Sequence, residues 1–130
     1  QHTKGNTKMT QPTRASCHCG AVELHIMLPD PVPEPHRCDC SFCRRRAAPN
    51  ISLPLSALSV VKGADKLALY TWNTGTAKHY FCSVCGIYTH HQRRSNPDEY
   101  GVNLGCIDGL NPADFEPIAW LDGVNHPSDR

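Results

Sequence analysis

CHCG at residues 17–20 and CSVCG at residues 82–86 decide the fold: two close pairs of cysteines, far apart in the chain, each followed by a glycine. In a metal knuckle the chain turns tightly beneath the sulfurs, often through positive φ, so that backbone N–H groups aim at the thiolates. Glycine adopts that conformation without steric cost. Cys17, Cys19, Cys82 and Cys85 are therefore expected to form a closed tetrahedral zinc site with Zn–S distances of about 2.3 Å. Such a site would tie the first expected strand to the fourth, across half the chain, and hold a small domain together rather than do chemistry.

Between these pairs lies HRCDCSFCRRR, residues 36–46, with Cys38, Cys40 and Cys43 but no glycine knuckle. Three thiolates on one metal leave a fourth tetrahedral position for water, substrate or a substrate thiol, the arrangement of a reactive zinc. Zinc with three thiolates carries a net charge of −1. It is a poor electrophile for splitting water but holds a fourth thiolate at neutral pH. Arg37, Arg44, Arg45 and Arg46 could offset that charge and bind the carboxylates of an anionic thiol, for which glutathione is the abundant cytoplasmic candidate. The expected cofactor is thus Zn2+, two ions per chain, the second held by three ligands and the easier to lose.

The totals agree with a single domain. The chain has 130 residues, 39% of them hydrophobic, with eleven prolines and nine glycines that favour a turn-rich, mainly β architecture. Eight cysteines in a secreted chain would imply disulfides, but Cys17/Cys19 and Cys38/Cys40 are each separated by a single residue, a spacing that rarely bonds internally and readily converges on a metal. A formal net charge of +1 argues against nucleic acid, so electrostatic recognition must be local: the four arginines above, or the later pair Arg93 and Arg94. No apolar run approaches a membrane span or a signal peptide, and the expected location is cytoplasmic, with no membrane partner. Residues 1–14 read as a disordered polar leader, compatible with a vector-derived remnant before a start at Met9, and residues 15–130 as the domain.

Along that domain, residues 21–28 alternate as a strand with Val22, Leu24 and Ile26 on one face and Glu23 and His25 on the other. Further extended segments are expected over 51–61, 67–72, 77–81, 87–92 and 99–107, separated by turns at 62–65 and 73–76 and by the polar loop 93–99. Residues 41–47 and 111–115 read as short helical turns.

CHCGAV, CDCSFCR, FCSVCG and GVNLGCIDG with a late tryptophan, in this order, resemble the glutathione-dependent formaldehyde-activating enzyme (GFA) family, related to the centromere protein V family. The resemblance runs from about Ala15 to about His126. It implies an Mss4-like zinc-bearing antiparallel β-sheet domain with short helical turns. It also implies a structural zinc on Cys17, Cys19, Cys82 and Cys85 and a catalytic zinc on Cys38, Cys40 and Cys43. The implied activity is that of a carbon–sulfur lyase, adding the glutathione thiol to formaldehyde or a related small aldehyde to give S-hydroxymethylglutathione.

The remaining candidates have blander readings. Cys106 reads as a buried small hydrophobe. His36, two residues before Cys38, and the pair His90–His91 are candidates for contact with substrate or ligands. Phe42, Trp72, Tyr80, Phe81 and Trp120 are most simply core. Two other functions compete: a zinc-stabilised binding module whose arginine face docks a partner, and a redox role in which Cys40 and Cys43 form a disulfide.

Overall fold

Val22, Leu24 and Ile26 alternate with Glu23 and His25, and this period of two turns Leu24 and Ile26 of β2 (Glu23–Asp30), with Val22 just before it, inward: all three are fully buried while His25 is exposed. The structure is a computed structural model that describes residues 8–127 and 129. β2 is the middle strand of a three-stranded antiparallel sheet, between β1 (Lys8–Ser16) and β5 (Leu58–Lys62).

β1 corrects the sequence reading. The leader expected to be disordered through residue 14 is strand from Lys8 onward, with Arg14 opposite His25 and Ala15 opposite Leu24. Its polar composition hid it, because an edge strand needs few apolar side chains when backbone hydrogen bonds and cross-strand pairs hold it. Arg14 supplies such pairs, with Glu23 at 3.2 Å and Asp108 at 3.3 Å. The ordered domain therefore starts before residue 15, and residues 1–7 lie outside the described residues.

The second sheet has seven strands in the order β10 (Ala119–Leu121), β3 (His36–Cys38), β4 (Asn50–Pro54), β9 (Glu99–Asn103), β8 (Tyr88–Gln92), β7 (Lys78–Cys82) and β6 (Leu67–Tyr70). Every pairing is antiparallel except β10 on β3, which is parallel. Mainly β architecture with short helical turns is thus what the chain adopts. Among the described residues the one α-helical turn, α1, spans Cys43–Arg46, and a 3-10 turn spans Pro112–Phe115. The segment 99–107 was expected to be strand throughout, but it leaves the sheet at Leu104 in a 3-10 turn, where the Asn103 side chain accepts the Gly105 N–H at 3.1 Å.

The inward faces of the two sheets share one core. Val22, Leu24 and Ile26 cluster with Ile51 and Leu53 of β4, Val102 of β9, and Leu104 and Ile107 beyond it, and a bridge between Ala15 and Ile107 joins the sheets. Trp120, expected in this core, is 52% exposed on the edge strand β10, with the Arg37 guanidinium 5.7 Å from its ring centre. Phe42, Trp72, Tyr80 and Phe81 are half-buried. No described helix is long and apolar enough to cross a membrane.

Leu24 is fully buried at the centre of this shared core. Leu24→Ala is expected to lower the unfolding free energy by about 2–5 kcal/mol, read as a lower denaturant midpoint at saturating zinc.

Candidate metal centres

Cys17 and Cys19 occupy the turn from β1 to β2, Cys82 ends β7, and Cys85 lies in the turn to β8, so two hairpins bring four thiols to one point. Their sulfurs all lie within 4.8 Å of one another. Cys19 Sγ is 3.7 Å from both Cys17 Sγ and Cys82 Sγ, close to the roughly 3.8 Å edge of a tetrahedron with 2.3 Å metal–sulfur bonds. Backbone N–H groups aim at the sulfurs: Val22 at Cys17 (3.3 Å), Ala21 at Cys19 (3.4 Å) and Val84 at Cys82 (3.3 Å). The knuckle glycines have the expected left-handed backbone, Gly20 at φ 82° and Gly86 at φ 81°. Backbone N–H groups of Cys19 and Ile87 pull the Cys85 thiol down to about 6, toward the ligating thiolate.

The second cluster is Cys38 at the end of β3, buried Cys40, and Cys43 at the start of α1, again with sulfurs within 4.8 Å of one another. Cys43 N–H donates to Cys40 Sγ at 3.2 Å. Hydrogen bonds from the Cys38 and Cys43 thiols hold the Cys40 thiol far below its usual range, while hydrogen bonding with Cys38 first, then with Cys40, and burial push the Cys43 thiol up. Among the described residues no other cysteine, histidine or carboxylate joins the group. Cys106 is separate: its Sγ donates to the Tyr88 carbonyl at 3.5 Å within the core, and burial pushes its thiol up to about 12. Both clusters offer soft thiolate sets of the kind that binds zinc, one with four donors and one with three.

The C-terminal segment is built onto the three-thiol cluster. Asp39 Oδ1 accepts the N–H groups of Gly123 (2.8 Å) and Val124 (3.0 Å), and the Asp129 carboxylate accepts the Ser41 N–H (3.0 Å) and hydroxyl (2.8 Å). Gly123 passes so close that an added Cβ would overlap Cys38 Sγ and lie 2.8 Å from Cys40 Cβ.

Beside the cluster opens a cavity of about 400 Å³, lined by all three cysteines and, around them, by His36, Asn50, Trp72, His79, His91, Arg93 and Arg94 among others. The expected arginine face does not exist as one surface. Three consecutive residues of a helical turn fan out by about 100° each: Arg44 is exposed, Arg45 donates to the Ser41 carbonyl, and Arg46 turns inward. Arg37 lines the cavity but is engaged, its Nε donating to the Ala47 carbonyl (2.9 Å) and its guanidinium pairing with Glu116 at 3.0 Å. Arg46 alone of the four touches a cluster sulfur, with Nη2 3.6 Å from Cys43 Sγ and its guanidinium 3.6 Å from the centre of the Tyr88 ring.

Sequence reading passed over the network behind this cavity. Tyr88 Oη donates to Asn50 Oδ1 at 2.5 Å and so accepts the Nδ1–H of His91 at 2.6 Å. This fixes the His91 tautomer and leaves Nε2 as an acceptor. Burial first, and then Arg46, hold His91 well below the ordinary histidine range, so the ring is neutral. His79, against Arg46 at 3.2 Å, is lowered to about 4 by burial and by that guanidinium. Of the histidines singled out, His36 and His91 reach the cavity, whereas His90 is buried between Tyr80 and Tyr100. Strand alternation in residues 77–82 was the signal that could have turned His79 inward; nothing local marked Gly123 or Asn50.

Two variants test this geometry. Gly123→Ala should cost the three-cysteine cluster its metal while the four-cysteine site keeps its own, seen as a lower zinc-to-protein ratio by mass spectrometry. Tyr88→Phe leaves Asn50 Oδ1 and His91 Nδ1–H without this partner and should destabilise the fold by about 1–3 kcal/mol in denaturant titrations.

The family profile described as "Glutathione-dependent formaldehyde-activating enzyme" matches residues 12–121. A protein of Halomonas elongata, 39% identical over 79 residues, and one of Emericella nidulans, 35% identical over 78 residues, carry that name provisionally. Those alignments cover 54% and 57% of this chain, and the chain spans 49% and 39% of these relatives' length. The crystal structure of a Rhodobacter sphaeroides protein, 55% identical, superposes with a TM-score of 0.80 over 83% of this chain and 99% of that one. With four thiols at one knuckle pair, three at a cavity and a profile match over most of its length, the chain belongs to the glutathione-dependent formaldehyde-activating enzyme family.

Proposed function

We propose that the chain is a zinc-dependent carbon–sulfur lyase that adds the glutathione thiol to formaldehyde, or to a similarly small aldehyde, in the cytoplasm. The observation that carries this reading is the convergence of Cys38, Cys40 and Cys43, with no fourth protein ligand among the described residues, on the wall of a cavity of about 400 Å³. Cavities of roughly 300–1,000 Å³ suit small molecules. In this reading Cys17, Cys19, Cys82 and Cys85 hold a structural zinc ion and Cys38, Cys40 and Cys43 a second one. The second ion, when bound, supplies a position at which a substrate thiol is held as thiolate at neutral pH.

The rest is done by the chain. The cavity brings thiol and aldehyde together, which converts a bimolecular addition into a local one. A carbon–sulfur bond forms, the carbonyl π pair moves to oxygen, and that oxygen takes up a proton. His91, neutral and with Nε2 an acceptor while Tyr88 engages Nδ1, lines the cavity and can orient the substrate by accepting a hydrogen bond. Burial and Arg46 disfavour its protonated form, so the thiol proton leaves to water and water supplies the proton of the nascent hydroxyl. Arg46, against Cys43 Sγ, offsets negative charge on the cluster. The scattered roles of the four arginines give little support to a docking face, the competing reading.

Calorimetric titration of glutathione into protein carrying two zinc ions per chain, beside Cys40→Ser, tests this. Binding to the first and at least about tenfold weaker binding to the second is expected, as for loss of one strong ligand interaction. Equal binding to both would remove the thiol from this cluster.

A further inference from the structure

The cavity that reaches the three thiols also holds polar groups that neither the metal nor the aldehyde chemistry uses. Four buried side-chain atoms have no hydrogen-bond partner in the described structure: Arg46 Nε, Trp72 Nε1, His79 Nε2 and Arg94 Nη1. Three of those residues, Trp72, His79 and Arg94, line this one cavity. A buried N–H left unpaired is costly, so an unpaired group in a cavity wall calls for a partner that the ligand can supply.

Trp72 and Arg94 are neighbours, the Arg94 guanidinium lying 5.5 Å from the centre of the Trp72 ring. Both are donors only, an indole N–H and a guanidinium, and neither can satisfy the other. What they lack is an acceptor, and a carboxylate fits best because it takes two hydrogen bonds side by side and balances the charge.

The other cations of the cavity are engaged. Arg93 pairs with Glu99 at 2.7 Å and donates to Ser52 and Ser95, and Arg37 pairs with Glu116. No carboxylate partner of Arg94 is found among the described residues. The one acidic residue of the lining, Asp122, accepts from Asn125 at 2.9 Å.

We propose that Arg94 and the Trp72 indole N–H form a carboxylate-binding subsite, and that this subsite selects thiols carrying a carboxylate over neutral ones. It deepens the proposed function, on which it rests for the identity of the ligand as a thiol. Trp72 also stiffens the subsite, because stacking against the guanidinium limits the rotamers that Arg94 would otherwise lose on binding. The sequence marks Arg93 and Arg94 only as a candidate for local electrostatic recognition, and Trp72 as a tryptophan that reads as core.

The probe is S-methylglutathione, which keeps both carboxylates but has no thiol, compared with its diethyl ester by calorimetry on zinc-loaded protein. The wild type should bind the acid at least about tenfold more tightly than the ester, the size of one charge-assisted pair. Arg94→Gln should abolish that preference with zinc content unchanged, Arg94→Lys should restore part of it, and Trp72→Phe should lose a smaller part. Equal affinity of the wild type for acid and ester, including no binding of either, would overturn the subsite, as would an Arg94→Gln protein that binds the acid like wild type. Should Arg94→Gln fail to fold, the acid-to-ester ratio of wild type against Trp72→Phe decides in the same way. Because the probe has no thiol, loss of the thiol-on-cluster reading, seen as equal glutathione binding to wild type and Cys40→Ser, would leave this comparison intact.

Discussion

Backbone N–H groups pointed at thiolates are the interaction on which the rest of this protein depends. A thiolate buried without compensation is costly. Here Val22, Ala21 and Val84 each supply a donor to a cysteine of the closed cluster, and the left-handed Gly20 and Gly86 let the chain present them. Because one knuckle joins β1 to β2 and the other joins β7 to β8, the cluster fastens the three-stranded sheet to the far side of the seven-stranded one. The shared apolar core supplies hydrophobic stabilisation, but it is modest in a domain with 39% hydrophobic residues and eleven prolines. The thiolate junction fixes how the two sheets meet.

With that junction secured, the second cluster can afford to remain incomplete. Its three cysteines stand on β3, on the following loop and on the one-turn helix α1, and the C-terminal segment packs against them through Asp39, Ser41 and Asp129. Gly123 fills the remaining approach from that side, and Arg46 covers Cys43. Access is thereby left through the cavity bounded by His79, His91, Trp72 and Arg94. The aromatic and histidine rings there, His79 against Phe42 at 4.4 Å and against His91 at 5.1 Å, make a wall of few rotatable bonds. In the proposed reading, that wall faces the small aldehyde and the thiol that attacks it.

The features legible in the sequence were those that chemistry imposes locally. Thiol spacing marks both clusters, and knuckle glycines mark the four-cysteine one, without reference to the rest of the chain. Alternation marks β2, because Leu24 and Ile26 on one face of it are fully buried. What escaped was set by tertiary context. β1 is polar because backbone pairing to β2, the Arg14–Glu23 pair and the single buried Ala15 suffice to hold it, and β3 and β10 are three-residue strands whose pairing is a consequence of neighbours, too short to leave a period. The arginine run misled for a geometric reason, since adjacency in sequence along a helical turn means divergence in space. The residues that furnish the cavity, Asn50, Trp72, His79, His91 and Arg94, come from five separate places between β4 and the β8–β9 loop. No local pattern unites them until the sheet does.

The central claim is that one cluster is saturated with sulfur and the other is open to a thiol. X-ray absorption at the zinc edge tests it most directly, on protein with both sites loaded, before and after adding glutathione. The account predicts sulfur neighbours at about 2.3 Å together with a minor light-atom shell from the three-cysteine site, and replacement of that light shell by sulfur once glutathione is present. A spectrum already fully sulfur-coordinated at both ions, or a light-atom shell that glutathione leaves unchanged, would contradict it.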